Sequence, residues 1–246
     1  MLEAIGPLQV EWGRYLPDLL GALRRTMAFT AAGFVGATIL GLVVALLRLS
    51  PLGILRIPAK TYTELFKNVP LLALIFVTYF GLPSVDVELG AFAAGVLSLV
   101  VFYAAYLSET FRSAIAGVHS GQKEASEALG MGRLTTFAVV VFPQALRLAL
   151  PGTNTFLVDM LKSTSLLVVI SAGELMSQGR IITSTTFRAL EVYLVVAALY
   201  FAMCYPLSQV LLWLERRVSA GVPLAPRRRR LLNQARARLA EEGVVV

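Results

Sequence analysis

The sequence predicts an all-α membrane protein with five transmembrane helices, its N-terminus outside and its C-terminus cytoplasmic. Three observations carry this reading. The 246 residues are 57% hydrophobic and only 15% charged, whereas a soluble domain usually has about a quarter of its residues charged. The missing charge leaves long uncharged runs, as in a chain whose main solvent is lipid. The basic residues also gather on one side of those runs. A soluble helical protein is the competing reading, and the concentration of the uncharged stretches argues against it.

A hydrocarbon core of about 30 Å takes about 20 helical residues. The first such stretch is Thr26–Leu47, with no charge between Arg25 and Arg48. Its Gly33, Gly36 and Gly41 allow a neighbouring helix to approach closely. The second is Val69–Val85, extending back into a helix that starts near Gly53 and carries Glu64 and Lys67. The third is Leu89–Ser108. The fourth runs from Pro151 to Ala172 and contains Asp159 and Lys162, and the fifth is Val192–Leu214. Thr135–Leu150 is also apolar, but Pro143 and Arg147 interrupt it, so it reads as a bent segment on the cytoplasmic side.

Orientation follows from the basic residues. With the segment after the third span in the cytoplasm, sixteen of the 22 lysines and arginines lie inside and five outside, Lys162 being within a span. Arg24 and Arg25, at the outer end of the first span, run against this rule. The domain organisation is an extracytoplasmic segment 1–23, a transmembrane domain 24–217 with a loop at 119–143, and a basic tail 218–246. That tail contains Pro226-Arg227-Arg228-Arg229-Arg230. With no stacking aromatics or folded module beside it, it reads as a partner for anionic lipid headgroups, with no nucleic acid involved.

Several chemistries are excluded. A single cysteine, Cys204, forms no internal disulfide, and neither it nor the lone His119 has metal-ligand spacing around it. Both read as inert, and no metal site is expected. The N-terminus lacks the basic segment and cleavage site of a signal peptide. No phosphate-cradling loop is present: none of the four lysines follows a glycine. No hydrolase motif occurs either, so the polypeptide reads as a non-enzyme.

Residues 121–130 read Gly-Gln-Lys-Glu-Ala-Ser-Glu-Ala-Leu-Gly, followed after nine residues by Val140-Val141-Phe142-Pro143. Glu124–Leu129 has strong helix formers and Gly130 is placed to stop the helix. The segment resembles the signature loop of bacterial ABC-importer permeases, Glu-Ala-Ala-x3-Gly-x9-Ile-x-Leu-Pro, with Glu124, Ala125, Gly130 and Pro143 in register. Ser126, Val140 and Phe142 are mild departures. Tyr106–Ser113, Gly121-Gln122, Pro143-Gln144-Ala145, Lys162-Ser163-Thr164-Ser165-Leu166 and Leu214-Glu215-Arg216-Arg217 are similar to the polar amino acid branch (the histidine/glutamine/arginine type). So is Thr61–Pro70. Leu74 departs from that branch, where glutamine is usual.

The resemblance, over roughly residues 20–217, implies a multi-pass subunit of the bacterial plasma membrane. It also implies that the Gln122–Gly132 helix docks on a pair of ATP-binding subunits, through Gln122, Glu124, Ala125, Ala128, Leu129 and Gly130. Further implied partners are a second permease subunit, identical or similar, an extracytoplasmic amino-acid-binding protein, and an amino acid solute. ATP and magnesium would sit on the partner, with no cofactor on this chain.

An ionisable group at membrane depth costs at least about 2.5 kcal/mol and is a functional candidate. Asp159 is the deepest acid, suited to an ammonium group, either an α-amine or a cationic side chain. The competing reading is neutralisation by Lys162, three residues on. Glu64 is a second candidate, with pairing to Lys60 or Lys67 the simpler account, and Glu109 is expected to pair with Arg112. Two other functions compete: an ion-coupled secondary transporter of amino acids or osmolytes, and a membrane scaffold with no solute. Internal repeats, which secondary transporters often show, are not visible.

Overall fold

The computed structural model describes residues 12–219. Those residues are almost wholly helical, and α1 is the longest element. It runs from Trp12 to Leu49, 38 residues, or about 57 Å at 1.5 Å per residue. It therefore starts well before the apolar stretch that begins at Thr26, and Arg24 and Arg25 lie inside a helix rather than at its end.

The glycines of α1 set the central packing. Gly33, Gly36 and Gly41 face Leu99, Val100 and Leu107 of α4, Ala91–Ala116. A Cβ at position 41 would lie 2.9 Å from the Leu107 Cβ and 3.1 Å from the Ala104 carbonyl oxygen. In lipid there is little hydrophobic force between helices, so close backbone contact supplies the attraction. Thr26 and Thr30 keep their hydroxyls satisfied on the Ala22 and Thr26 carbonyls, at 3.0 and 2.9 Å.

After α1 the chain forms α2 (Gly53–Asn68), then α3 (Leu71–Phe76), which continues through a π-helical turn and a 3-10 turn to Val85. The two limbs meet at 105°. Pro70, extended at φ −60° and ψ 134°, disfavours helix at the residue before it and opens the second limb. The helix expected from Gly53 exists, but it is not collinear with the stretch after Val69. Counting this bent pair as one, five stretches among the described residues are long and apolar enough to cross a membrane.

The remaining elements are α5 (Ser120–Ala128), a short α6 (Arg133–Thr135), α7 (Phe142–Ser163), α8 (Leu175–Thr186) and α9 (Ala189–Ser219). One expectation is corrected here. Thr135–Leu150 is not separated from the fourth span, because α6, a π-helical turn at Thr136–Val141, α7 and a 3-10 turn form one apolar element, Arg133–Ile170. Pro143 follows directly on the π-helical turn, where the regular hydrogen-bond ladder is already interrupted, so its missing N–H does not end the helix.

Two cores result. Phe29, Leu99, Tyr103, Leu107, Phe111 and Met160 join α1, α4 and α7. Leu19, Ala22, Leu175, Ile182, Val192 and Val196 join the start of α1 to α8 and α9. Large side chains such as Val35, Ile39 and Phe201 remain exposed, as suits a lipid-facing surface. The chain divides into two units, Met1–Gln209 and Val210–Val246. Within the second, the Arg217 guanidinium lies over the Trp213 ring at 4.5 Å. The Arg227–Arg230 run lies outside the described residues.

Candidate functional site: an acid on the fourth span and a projecting helix

Asp159 occupies the exposed side of α7. Its carboxylate does not pair with Lys162; no ion pair joins them among the described residues. Instead the buried Tyr103 of α4 reaches it, with the hydroxyl 2.8 Å from Asp159 Oδ2 and 2.8 Å from Ser163 Oγ. The hydroxyl has one proton, which serves the carboxylate, so Ser163 is the donor in the second contact. Asp159 and Ser163, one turn apart, thus face the same tyrosine.

Aromatic rings back this group. Phe156 lies 6.4 Å from Tyr103 and 5.4 Å from Tyr106, ring centre to ring centre, and Phe102 packs against both tyrosines. Tyr106 is anchored by donating to the Lys67 carbonyl across 3.1 Å. An anionic oxygen beside π faces is suited to a cation or ammonium group. No feature local to Asp159 in the sequence points to Tyr103, which sits 56 residues away.

Glu64 is also exposed, on α2, and its expected pairing with Lys60 or Lys67 is absent among the described residues. No hydrogen bond joins it to the Asp159 group. The turn around it is used otherwise: its carbonyl accepts from Asn68 Nδ2 at 2.6 Å. Glu109 does pair with Arg112, and additionally with Arg48 of α1 at 2.6 Å, which ties α1 to α4.

The loop helix α5 is built to project. His119, read from the sequence as inert, is its N-cap: Nδ1 accepts from the Gly121 N–H at 3.1 Å. Its far end closes as a Schellman motif, with Gly130 N–H to the Glu127 carbonyl and Met131 N–H to the Ser126 carbonyl, both 3.0 Å. Gly130 takes φ +74°, a conformation that favours glycine. Ser126 is the buried side of this helix, while Gln122, Glu124, Ala125, Ala128, Leu129 and Gly130 are all exposed. Leu129 is 81% exposed and Leu134 beyond it 86%, so two aliphatic side chains stand out from a polar loop. Gln144 at the start of α7 donates to the Gln122 side chain at 3.3 Å, linking this helix to the element that carries Asp159.

A third group, missed in the sequence, is the Glu174 cluster. Glu174 is 0% exposed and caps α8. Its carboxylate accepts from Met176 N–H, Ser177 N–H, the Ser177 hydroxyl and the Tyr200 hydroxyl, at 2.6, 2.7, 2.7 and 3.1 Å. Burial pushes its pKa up from the ordinary 4.5, and the donors oppose that shift. The preceding glycine with a lone acid ahead of a helix was the available signal.

The family model for binding-protein-dependent transport system inner membrane components matches residues 7–220. This chain belongs to that family. The permease is 36% identical over 207 residues to PatM of Vibrio harveyi, a probable amino-acid ABC transporter permease protein; the match covers 83% of this chain and 93% of PatM. It is 32% identical over 216 residues to GlnP of Escherichia coli K12, a glutamine transport system permease protein, covering 86% and 99%. Among solved structures, an amino acid ABC transporter superposes with a TM-score of 0.78 at 33% identity, over 83% of this chain and 95% of that one. The MetNI methionine ABC transporter superposes at 0.70 with 21% identity, over 82% and 97%, which shows a shared fold. The permease is accordingly an integral inner membrane protein and a transport component rather than a catalytic subunit.

Proposed function

We propose that this permease belongs to an ATP-driven importer of polar amino acids and favours solutes bearing an accessible ammonium group, basic amino acids above all. The observation that carries the solute class is the Asp159 carboxylate, exposed on a membrane helix and bonded to Tyr103 rather than to Lys162. Such a charge is paired when a solute ammonium reaches it. Relatives named for amino acid and glutamine transport support the broader class.

The drive comes from a separate subunit. A dimeric ATPase, carrying the nucleotide and magnesium, docks on the exposed face of α5 around Leu129, and the Gln122–Gln144 contact passes its motion to α7. A second permease subunit completes the pathway, and an extracytoplasmic binding protein delivers the solute. The test is reconstitution in proteoliposomes with the neighbouring ATPase and binding protein. Amino-acid-stimulated ATP hydrolysis is expected; hydrolysis indifferent to every amino acid overturns the reading.

A further inference from the structure

We infer that the cavity beside Lys162 is a binding site for an anionic phospholipid of the surrounding bilayer. The cavity is about 450 Å³ and lies between the end of α7, α8 and α9. One wall is a stripe of α9, Tyr193, Val196, Ala197 and Tyr200, whose spacing places all four on one helix face. Lys162 lines the other side, with Ser165 and Met176 completing it.

The charge of Lys162 has no partner among the described residues. The acids within three residues of the cavity lining, Asp159, Glu174 and Glu191, are already engaged. Asp159 is held by Tyr103, Glu174 accepts four bonds within its own cluster, and Glu191 pairs with Arg188 at 3.1 Å. The Tyr193 hydroxyl likewise has no hydrogen-bond partner among the described residues, whereas the Tyr200 hydroxyl is committed to Glu174. Two unpartnered donors, an ammonium and a phenol, therefore line one apolar cavity in a membrane helix bundle.

That combination matches a phosphodiester headgroup above acyl chains. The phosphate oxygens accept from Lys162 and Tyr193, while the chains lie along Val196 and Ala197. A lysine at the edge of an apolar cavity gains from an anionic headgroup held against it. The Asp159 group faces α4 through Tyr103, whereas Lys162 faces α9, so the lipid site is distinct from the proposed solute site.

The test uses the complete transporter, purified from membranes containing phosphatidylglycerol and phosphatidylethanolamine, with retained lipid counted by native mass spectrometry. Lys162→Met should lower retained phosphatidylglycerol about fivefold, the effect of one cation near a lipid surface, and Lys162→Arg should keep it. Ala197→Phe, which fills the cavity from α9 and leaves the lysine in place, should lower it as well, and covers the case in which Lys162→Met fails to fold. Free inorganic phosphate should not displace the lipid. Equal lipid counts in wild type and both cavity variants overturn the inference. So does a Lys162→Met effect confined to the KM of the amino acid, which would assign the lysine to the solute carboxylate.

Discussion

The Tyr103 hydroxyl on α4 donates to Asp159 Oδ2 on α7 across 2.8 Å, and that bond aims the acid of the fourth span. Without it, the carboxylate would be free to swing toward Lys162, one turn away. Asp159→Asn keeps the shape and removes the charge, so uptake of a cationic amino acid should fall at least about tenfold, the equivalent of roughly 1.4 kcal/mol. Thermal stability of the purified subunit should change little. Transport kinetics equal to wild type would refute the role given to Asp159.

Tyr103→Phe separates aiming from charge. The ring still packs against Phe102 and Phe156, and only the hydroxyl is lost. A rise in KM with a smaller change in kcat is expected in proteoliposome uptake, because the acid remains but is no longer held. A variant with unaltered KM would show that the bond is only structural.

Glu174 sets a pH dependence. Its folded pKa lies above the ordinary 4.5 because of burial, so the fold binds a proton that the unfolded chain releases. The contribution is full below about 4.5 and is lost as pH rises through the folded value. Glu174→Gln cannot titrate, so its melting temperature should vary less than wild type's between that lower limit and neutral pH. Glu174→Ala should lose the cap of α8, about 1 kcal/mol. Parallel melting curves against pH for wild type and Glu174→Gln would contradict this.

Gly41 tests the α1–α4 contact. Valine there collides with Leu107 and with the Ala104 carbonyl, and a backbone atom cannot move aside cheaply. Overpacking of this kind costs about 1–3 kcal/mol. A fall in melting temperature and in yield of folded Gly41→Val subunit is the expected outcome, read by fluorescence-detected size exclusion.

Phe187 is a site for gain. It ends α8 at φ +56° and is 88% exposed, so its ring contributes little packing to offset the left-handed backbone. Phe187→Gly should raise stability by about 1 kcal/mol. Thermal unfolding in detergent checks this.

Most of the span count and the projecting helix were readable in the sequence. Membrane helices satisfy their backbone internally, so length and charge mark them locally. The stop at Gly130 was readable too, because a Schellman motif depends on adjacent residues. The 105° bend at Pro70 was not, since proline marks a break without its angle. Nor was the continuity through Pro143, which a π-helical turn accommodates.

The sequence by itself determined that this chain is a helical membrane subunit, which loop projects from it, and that Asp159 lies within one of its apolar stretches. Tertiary structure alone decided the partners of each charge: Tyr103 rather than Lys162 for Asp159, Arg48 as well as Arg112 for Glu109, and none among the described residues for Glu64. Hydropathy and caps are local, carried by neighbouring residues along one helix. A hydrogen bond between helices depends on rotation and register, which close packing at glycines such as Gly41 sets only once the bundle has formed.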